Sequence, residues 1–161
     1  MKKRSWPYWL LLLTVLASAL LIFFFSSQSG EVSNQSSDFF IQAAIRIFYP
    51  DYELLSSAEQ TEIQGQMHYL VRKAAHFSEF ALLGFTLRLL LRFHGLKRRS
   101  LFSWVLGTMY AATDELHQYF VGTRTAMITD VLIDSAGVLF GCLLAALLLY
   151  LLLRRKDKTT Q

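Results

Sequence analysis

The stretch ATDELHQYFVGTRTAMITDVLIDSAG, residues 112–137, decides how this chain is read. Apolar runs flank it, yet it holds the adjacent carboxylates Asp114 and Glu115, then His117, Arg124, Asp130 and Asp134. TDELHQ reads as the end of one helix, VGTR as a tight turn, and DVLID as the start of the next. On that reading the acids of two helices gather at one level instead of being scattered through an apolar segment.

Working outward, 53% of the 161 residues are hydrophobic and only 17% are charged, which points to a bilayer as the solvent. A spanning helix needs about 20 mostly apolar residues. Residues 6–25, 74–92 and 127–153 qualify on plain hydropathy. Residues 101–120 reach spanning length only if the polar groups of TDELHQ lie near a membrane face or inside a bundle. The fold expected is all-α: a polytopic four-transmembrane-helix bundle in one domain over residues 1–161, with an extracytoplasmic amphipathic helical insertion over residues 26–72. The first apolar run is longer than the core of a cleavable signal, so it reads as an anchor. Cys142 is the chain's one cysteine, which excludes an intrachain disulfide and a multi-cysteine metal site.

Charge sets the expected orientation. Twelve of the sixteen Lys and Arg residues fall in KKR near the N-terminus, between Arg88 and Arg99, and in RRKDK near the C-terminus; eleven of the twelve acids fall elsewhere. The positive-inside rule then puts both termini and the 92–99 turn in the cytoplasm, and residues 26–72 and 119–126 outside, in a bacterial cell membrane. The net charge of +4 therefore reads as a sum of topology signals and implies no nucleic-acid partner. In the insertion, DFFIQAAIRIFYP has helical apolar spacing ended before Pro50, and Ser56 stands three residues before Glu59 as in a capping box. These features predict an interfacial helix and a second outer helix leading to the next span. Trp6, Tyr8 and Trp9 read as interfacial anchors, and His68 and His94 as solvated or interfacial side chains.

At 100° per residue, Arg72, Lys73, His76 and Glu79 share an arc of about 120°. Asp114, His117 and Gln118 cover about 100°, with Glu115 on the flank, while Asp130, Asp134, Gly137 and Gly141 lie within about 60°. Two carboxylates thus continue into a glycine stripe that favours close helix packing over a dimer seam. The orientation brings all three polar faces to the outer side, where groups costly to bury in lipid share one pocket.

The succession RKAAHFSEFALLG, TDELHQYFVGTR and DVLIDSAGVLFG resembles the VanZ-like membrane proteins, and FSSQSG after the first span matches that family's Ser-rich segment. The resemblance covers most of the chain. Its pattern lands on Lys73, His76, Glu79, Asp114, Glu115, Gln118, Arg124, Asp130, Asp134, Gly137 and Gly141. His117 lies outside it, and Asp134 stands where relatives often carry Asn. The resemblance implies a link to low-level teicoplanin resistance.

Three readings of the polar residues follow. They form a structural ion-pair network, with Lys73–Glu79 or Arg124 against Asp114 or Asp130 as natural pairs. Or they bind: basic residues grip a lipid phosphate, and acids accept hydrogen bonds from sugar or peptide groups. Or they serve a metal-assisted membrane enzyme acting on a lipid-linked substrate, which HFSE supports weakly because it is not an established zinc motif. Nucleophilic catalysis through Ser78 has no Gly-x-Ser-x-Gly elbow behind it. The reading adopted is an outward-facing pocket that binds or modifies a membrane lipid or lipid-linked cell-wall precursor and contributes to lipoglycopeptide tolerance. No cofactor and no metal site is assigned.

Overall fold

A computed structural model describes the backbone of residues 6–27, 30–121 and 127–159, and the side chains of 6–27, 38–120 and 127–155. Within these the chain is almost entirely helical, with no strand. The helices are α1 (Trp6–Ser26), α2 (Gly30–Phe48), α3 (Ser57–Leu90), α4 (Arg99–Val121) and α5 (Ile128–Thr159), with short 3-10 turns at Tyr52–Leu54 and Leu91–His94. Three helices are long and apolar enough to cross a membrane: Trp6–Ser26, Ser57–His94 and Ile128–Arg155. Their outward surfaces are apolar, as Leu13, Leu20, Phe24, Leu143, Leu147 and Leu151 illustrate by their exposure. The chain is a multi-pass membrane protein built from helices.

Local chemistry sets the helix ends. Ser56 caps α3 by accepting the Glu59 backbone N–H at 3.4 Å, while the Glu59 carboxylate accepts the Ser56 N–H at 2.9 Å, so the anticipated capping box is present. Gly95 adopts φ 67°, a left-handed conformation that a side chain would resist, and it ends the turn after α3. The structure refines one expectation. The second outer helix and the following span are one continuous helix of 34 residues, because no proline interrupts them and the isolated Gly65 and Gly84 are tolerated. The small, polar residues 30–37 belong to α2, which runs unbroken until the chain approaches Pro50.

α3 is the centre of the molecule, packing on α1, α2, α4 and α5, and its contact with α5 is the largest. The main core takes residues from four helices: Ile22 of α1, Phe80 and Leu83 of α3, Ala111 of α4, and Val138 and Cys142 of α5. A smaller cluster of Ile41, Ile45 and Met67 ties α2 to the first half of α3. Glycines permit the α3–α5 approach. A Cβ on Gly137 would run into the Phe77 carbonyl, one on Gly141 into the Ala81 carbonyl, and one on Gly84 into the Val138 carbonyl. The glycine stripe is therefore a seam within the bundle.

At the opposite end from the acids, Tyr8 is only 4% exposed and packs edge-on to Phe93 with ring centroids 5.8 Å apart. It is a packing residue, whereas its neighbours Trp6 and Trp9 are exposed as anchors should be. His68 lies half-buried within α3, and its Nδ1 has no hydrogen-bond partner among the described residues.

Candidate functional site

The end of α1, the middle of α3, the end of α4 and the start of α5 meet at one level, and the polar residues of the sequence meet there. On α4, helical periodicity turns Asp114, Glu115 and Gln118 inward, each 3–5% exposed, while Leu116, Tyr119 and Phe120 face outward. The distribution is inverted relative to a soluble helix. Apolar atoms cover the outside and carboxylates fill the inside.

Asp114 anchors the first half of the site. Its Oδ2 accepts the Ser26 hydroxyl at 2.6 Å and the Gln118 amide at 3.0 Å, and that amide also donates to Ser26 Oγ at 3.0 Å. Beside this triangle His117 stacks on Phe23 at 4.6 Å and its Nε2 shares a 3.1 Å hydrogen bond with the Ser27 hydroxyl. Ser26 and Ser27, not named as site residues from the sequence, belong to the quoted FSSQSG segment. Two hydroxyls at the exit of an apolar run were the available signal.

The second half lies between α3 and α5. Lys73 forms an ion pair with Asp130, and His76 Nδ1 lies 3.7 Å from Asp134 Oδ2. Lys73 thus reaches across to α5 instead of pairing with Glu79 along its own helix. Glu79 lies within electrostatic reach of His76, Asp114 and Asp134, which joins the two halves. Glu115 Oε1 accepts the Met127 backbone N–H at 2.7 Å, satisfying a donor at the start of α5 from the neighbouring helix. Arg124 lies outside the described residues. Ser78 turns away, its hydroxyl donating to the Ala74 carbonyl at 2.7 Å.

Below this level, further contacts that the sequence did not disclose brace the helices. The Tyr110 hydroxyl donates to the Ala19 carbonyl at 2.6 Å, and Trp104 Nε1 donates to Ser135 Oγ at 3.0 Å. Thr108 and Ser135 share a 2.8 Å hydrogen bond. These partners are 27 to 91 residues apart in sequence, so spacing alone carries no trace of them.

The network is incompletely closed. Asp114 is 4% and Asp134 2% exposed, yet the Oδ1 atom of each takes no hydrogen bond from the described residues. A buried acceptor left without a donor costs about 1–3 kcal/mol. Two such oxygens lie in this one cluster. As for metal chemistry, no group of three or more His, Cys, Asp or Glu side chains among the described residues is disposed to hold an ion.

Fold and site together define a helical multi-pass membrane protein with an enclosed carboxylate-rich cluster. The chain belongs to the VanZ/LLP1 family, whose model matches residues 9–151. No curated protein and no solved structure matches it. Family membership suggests a membrane protein linked to glycopeptide resistance.

Proposed function

We propose that α1, the second half of α3, α4 and α5 all cross the cell membrane, with both termini in the cytoplasm. The cluster of Lys73, His76, Glu79, Asp114, Glu115, Gln118, Asp130 and Asp134 then faces outward, with Arg124 nearby in sequence. There it binds the head of an envelope lipid or lipid-linked wall precursor and so lowers the sensitivity of the cell to lipoglycopeptides. The inverted exposure of α4 supports the fourth span. Its 23 residues rise about 35 Å, enough for the roughly 30 Å hydrocarbon core. The charge distribution of the sequence supports the orientation.

The observation that carries the binding reading is the pair of buried oxygens that have no hydrogen-bond partner among the described residues, Oδ1 of Asp114 and Oδ1 of Asp134. A network selected only for packing gains by pairing every buried acceptor. A site for sugar hydroxyls or peptide N–H groups keeps acceptors open for the ligand. Lys73, 16% exposed at the edge of the cluster, adds a cation suited to a phosphate.

The experiment is Asp134→Asn and Asp114→Asn, made singly, with membrane abundance, thermal stability, co-purifying lipid and glycopeptide susceptibility measured on the same cells. Normal abundance with loss of bound lipid and increased susceptibility is expected. Normal abundance with unchanged lipid and susceptibility overturns the reading, and loss of protein in both variants assigns the carboxylates to structure.

A further inference from the structure

A second polar assembly sits at the far end of the bundle, where α3 turns into α4. From Phe80 to Thr113 the sequence contains no Asp or Glu, but it contains Arg88, Arg92, His94, Lys97, Arg98 and Arg99. Arg88 feels the like charges of Arg99 and Arg92. Its Nε donates to Ser100 Oγ at 2.8 Å, while its Nη1 is buried and has no hydrogen-bond partner among the described residues. An unpaired guanidinium nitrogen out of contact with water is costly.

The side chains around it are donors, and Arg99 already gives its Nε to the Leu96 carbonyl at 2.8 Å. Ser100 uses its oxygen to accept from Arg88, which leaves its hydroxyl proton to point elsewhere. The first-turn N–H groups of α4, beginning at Arg99, lack intrahelical acceptors and add the positive end of the helix dipole. A groove of about 390 Å³ lies alongside, lined by Leu11 of α1 and by Leu89, Arg92 and Phe93. Arg92 therefore belongs both to the charged group and to an apolar channel. One class of molecule joins an anion to an apolar chain in this way.

We propose that this end of the bundle binds an anionic phospholipid, with its phosphate among Arg88, Arg92, Arg99 and the Ser100 hydroxyl and one acyl chain along Leu11, Leu89 and Phe93. Basic residues near a membrane surface are attracted diffusely to anionic lipid, and a bound lipid differs from that in being local. With its Nε on Ser100, Arg88 positions that hydroxyl while its planar guanidinium adds charge beside the phosphate, an arrangement that a lysine ammonium does not reproduce.

The test uses the full chain in nanodiscs of phosphatidylcholine with a minor fraction of phosphatidylglycerol, with native mass spectrometry counting the lipid retained on the protein. The wild type is expected to keep phosphatidylglycerol in preference to phosphatidylcholine, and excess inorganic phosphate is expected not to displace it. Replacing Arg92 and Arg99 together with Gln should weaken retention by roughly 25-fold, at about fivefold per arginine. The exposed pair Lys97 and Arg98, changed to Gln for the same loss of charge, should leave retention near wild type. Arg88→Lys keeps the charge and should still lower retention, which decides the matter if the double variant fails to fold. Equal weakening by the two double variants, no preference for phosphatidylglycerol, or displacement by inorganic phosphate would each overturn the proposal.

Discussion

Replacing Gly141 with Ala tests the α3–α5 seam most directly. The added Cβ would lie 2.8 Å from both the Ala81 carbonyl carbon and the Phe85 nitrogen, with the Ala81 oxygen nearer still. That is about 0.6 Å short of ordinary contact at the carbon and nitrogen alone. The obstructing atoms are backbone, so no side chain can rotate aside, and the helices must separate. Overpacking of well-fitted interiors costs about 1–3 kcal/mol, and a backbone obstruction belongs at or above the top of that range. Separation would also pull Lys73 from Asp130 and His76 from Asp134, because both pairs bridge the same two helices. The control is Gly65→Ala, also on α3, where a Cβ meets nothing within 4 Å and helix propensity favours Ala by about 1 kcal/mol. Thermal unfolding in detergent, followed by size exclusion after heating, should rank Gly65→Ala at or above wild type and Gly141→Ala well below it. Gly141→Ala melting with or above the Gly65 variant would refute the close crossing.

Other outcomes follow from single contacts. Ser26→Ala removes the hydroxyl that donates to Asp114 and should destabilise by about 1–3 kcal/mol, read as a lowered melting temperature. Tyr110→Phe deletes the clamp on the Ala19 carbonyl and should cost about 0.5–1.5 kcal/mol by the same assay. A double-mutant cycle on Lys73→Met and Asp130→Asn should give a positive coupling of about 1 kcal/mol, whereas independent side chains would give none. Cys142 is fully buried, so a maleimide should leave it unmodified in the native protein and label it after denaturation.

Much of this arrangement was legible because periodicity and depth are sequence properties. The wheel put Asp130, Asp134, Gly137 and Gly141 on one face, and the structure uses that face for both the ion pairs and the glycine seam. The continuous run of α3 was less visible, since a helix that leaves an apolar stretch for a polar one changes its composition without changing its hydrogen bonding. Partner choice was less visible again. Lys73 has Glu79 near it in sequence and Asp130 far from it, and only the helix crossing selects Asp130. Tyr8 was misread for a related reason: an aromatic near a membrane boundary has the same local signature whether it meets lipid or, as here, the Phe93 ring. The hydroxyls of Ser26 and Ser135 meet partners 88 and 27–31 residues away, distances that no local pattern encodes.

On the proposed reading, stability and binding rest on different atoms of the bundle. The seam excludes side chains along Gly137 and Gly141, and its tightness fixes how far apart Asp130 and Asp134 stand from Lys73 and His76. The open acceptors, by contrast, add nothing to that packing and cost free energy where they are left unpaired. A neutral isostere at Asp134 should therefore spare the fold while altering what the cluster holds, whereas a methyl group one turn further along, at Gly137, should lower stability and spread the cluster together. A Gly137→Ala chain that remains stable while losing its lipid would break this separation, because its Cβ meets the backbone of Phe77, one residue beyond His76.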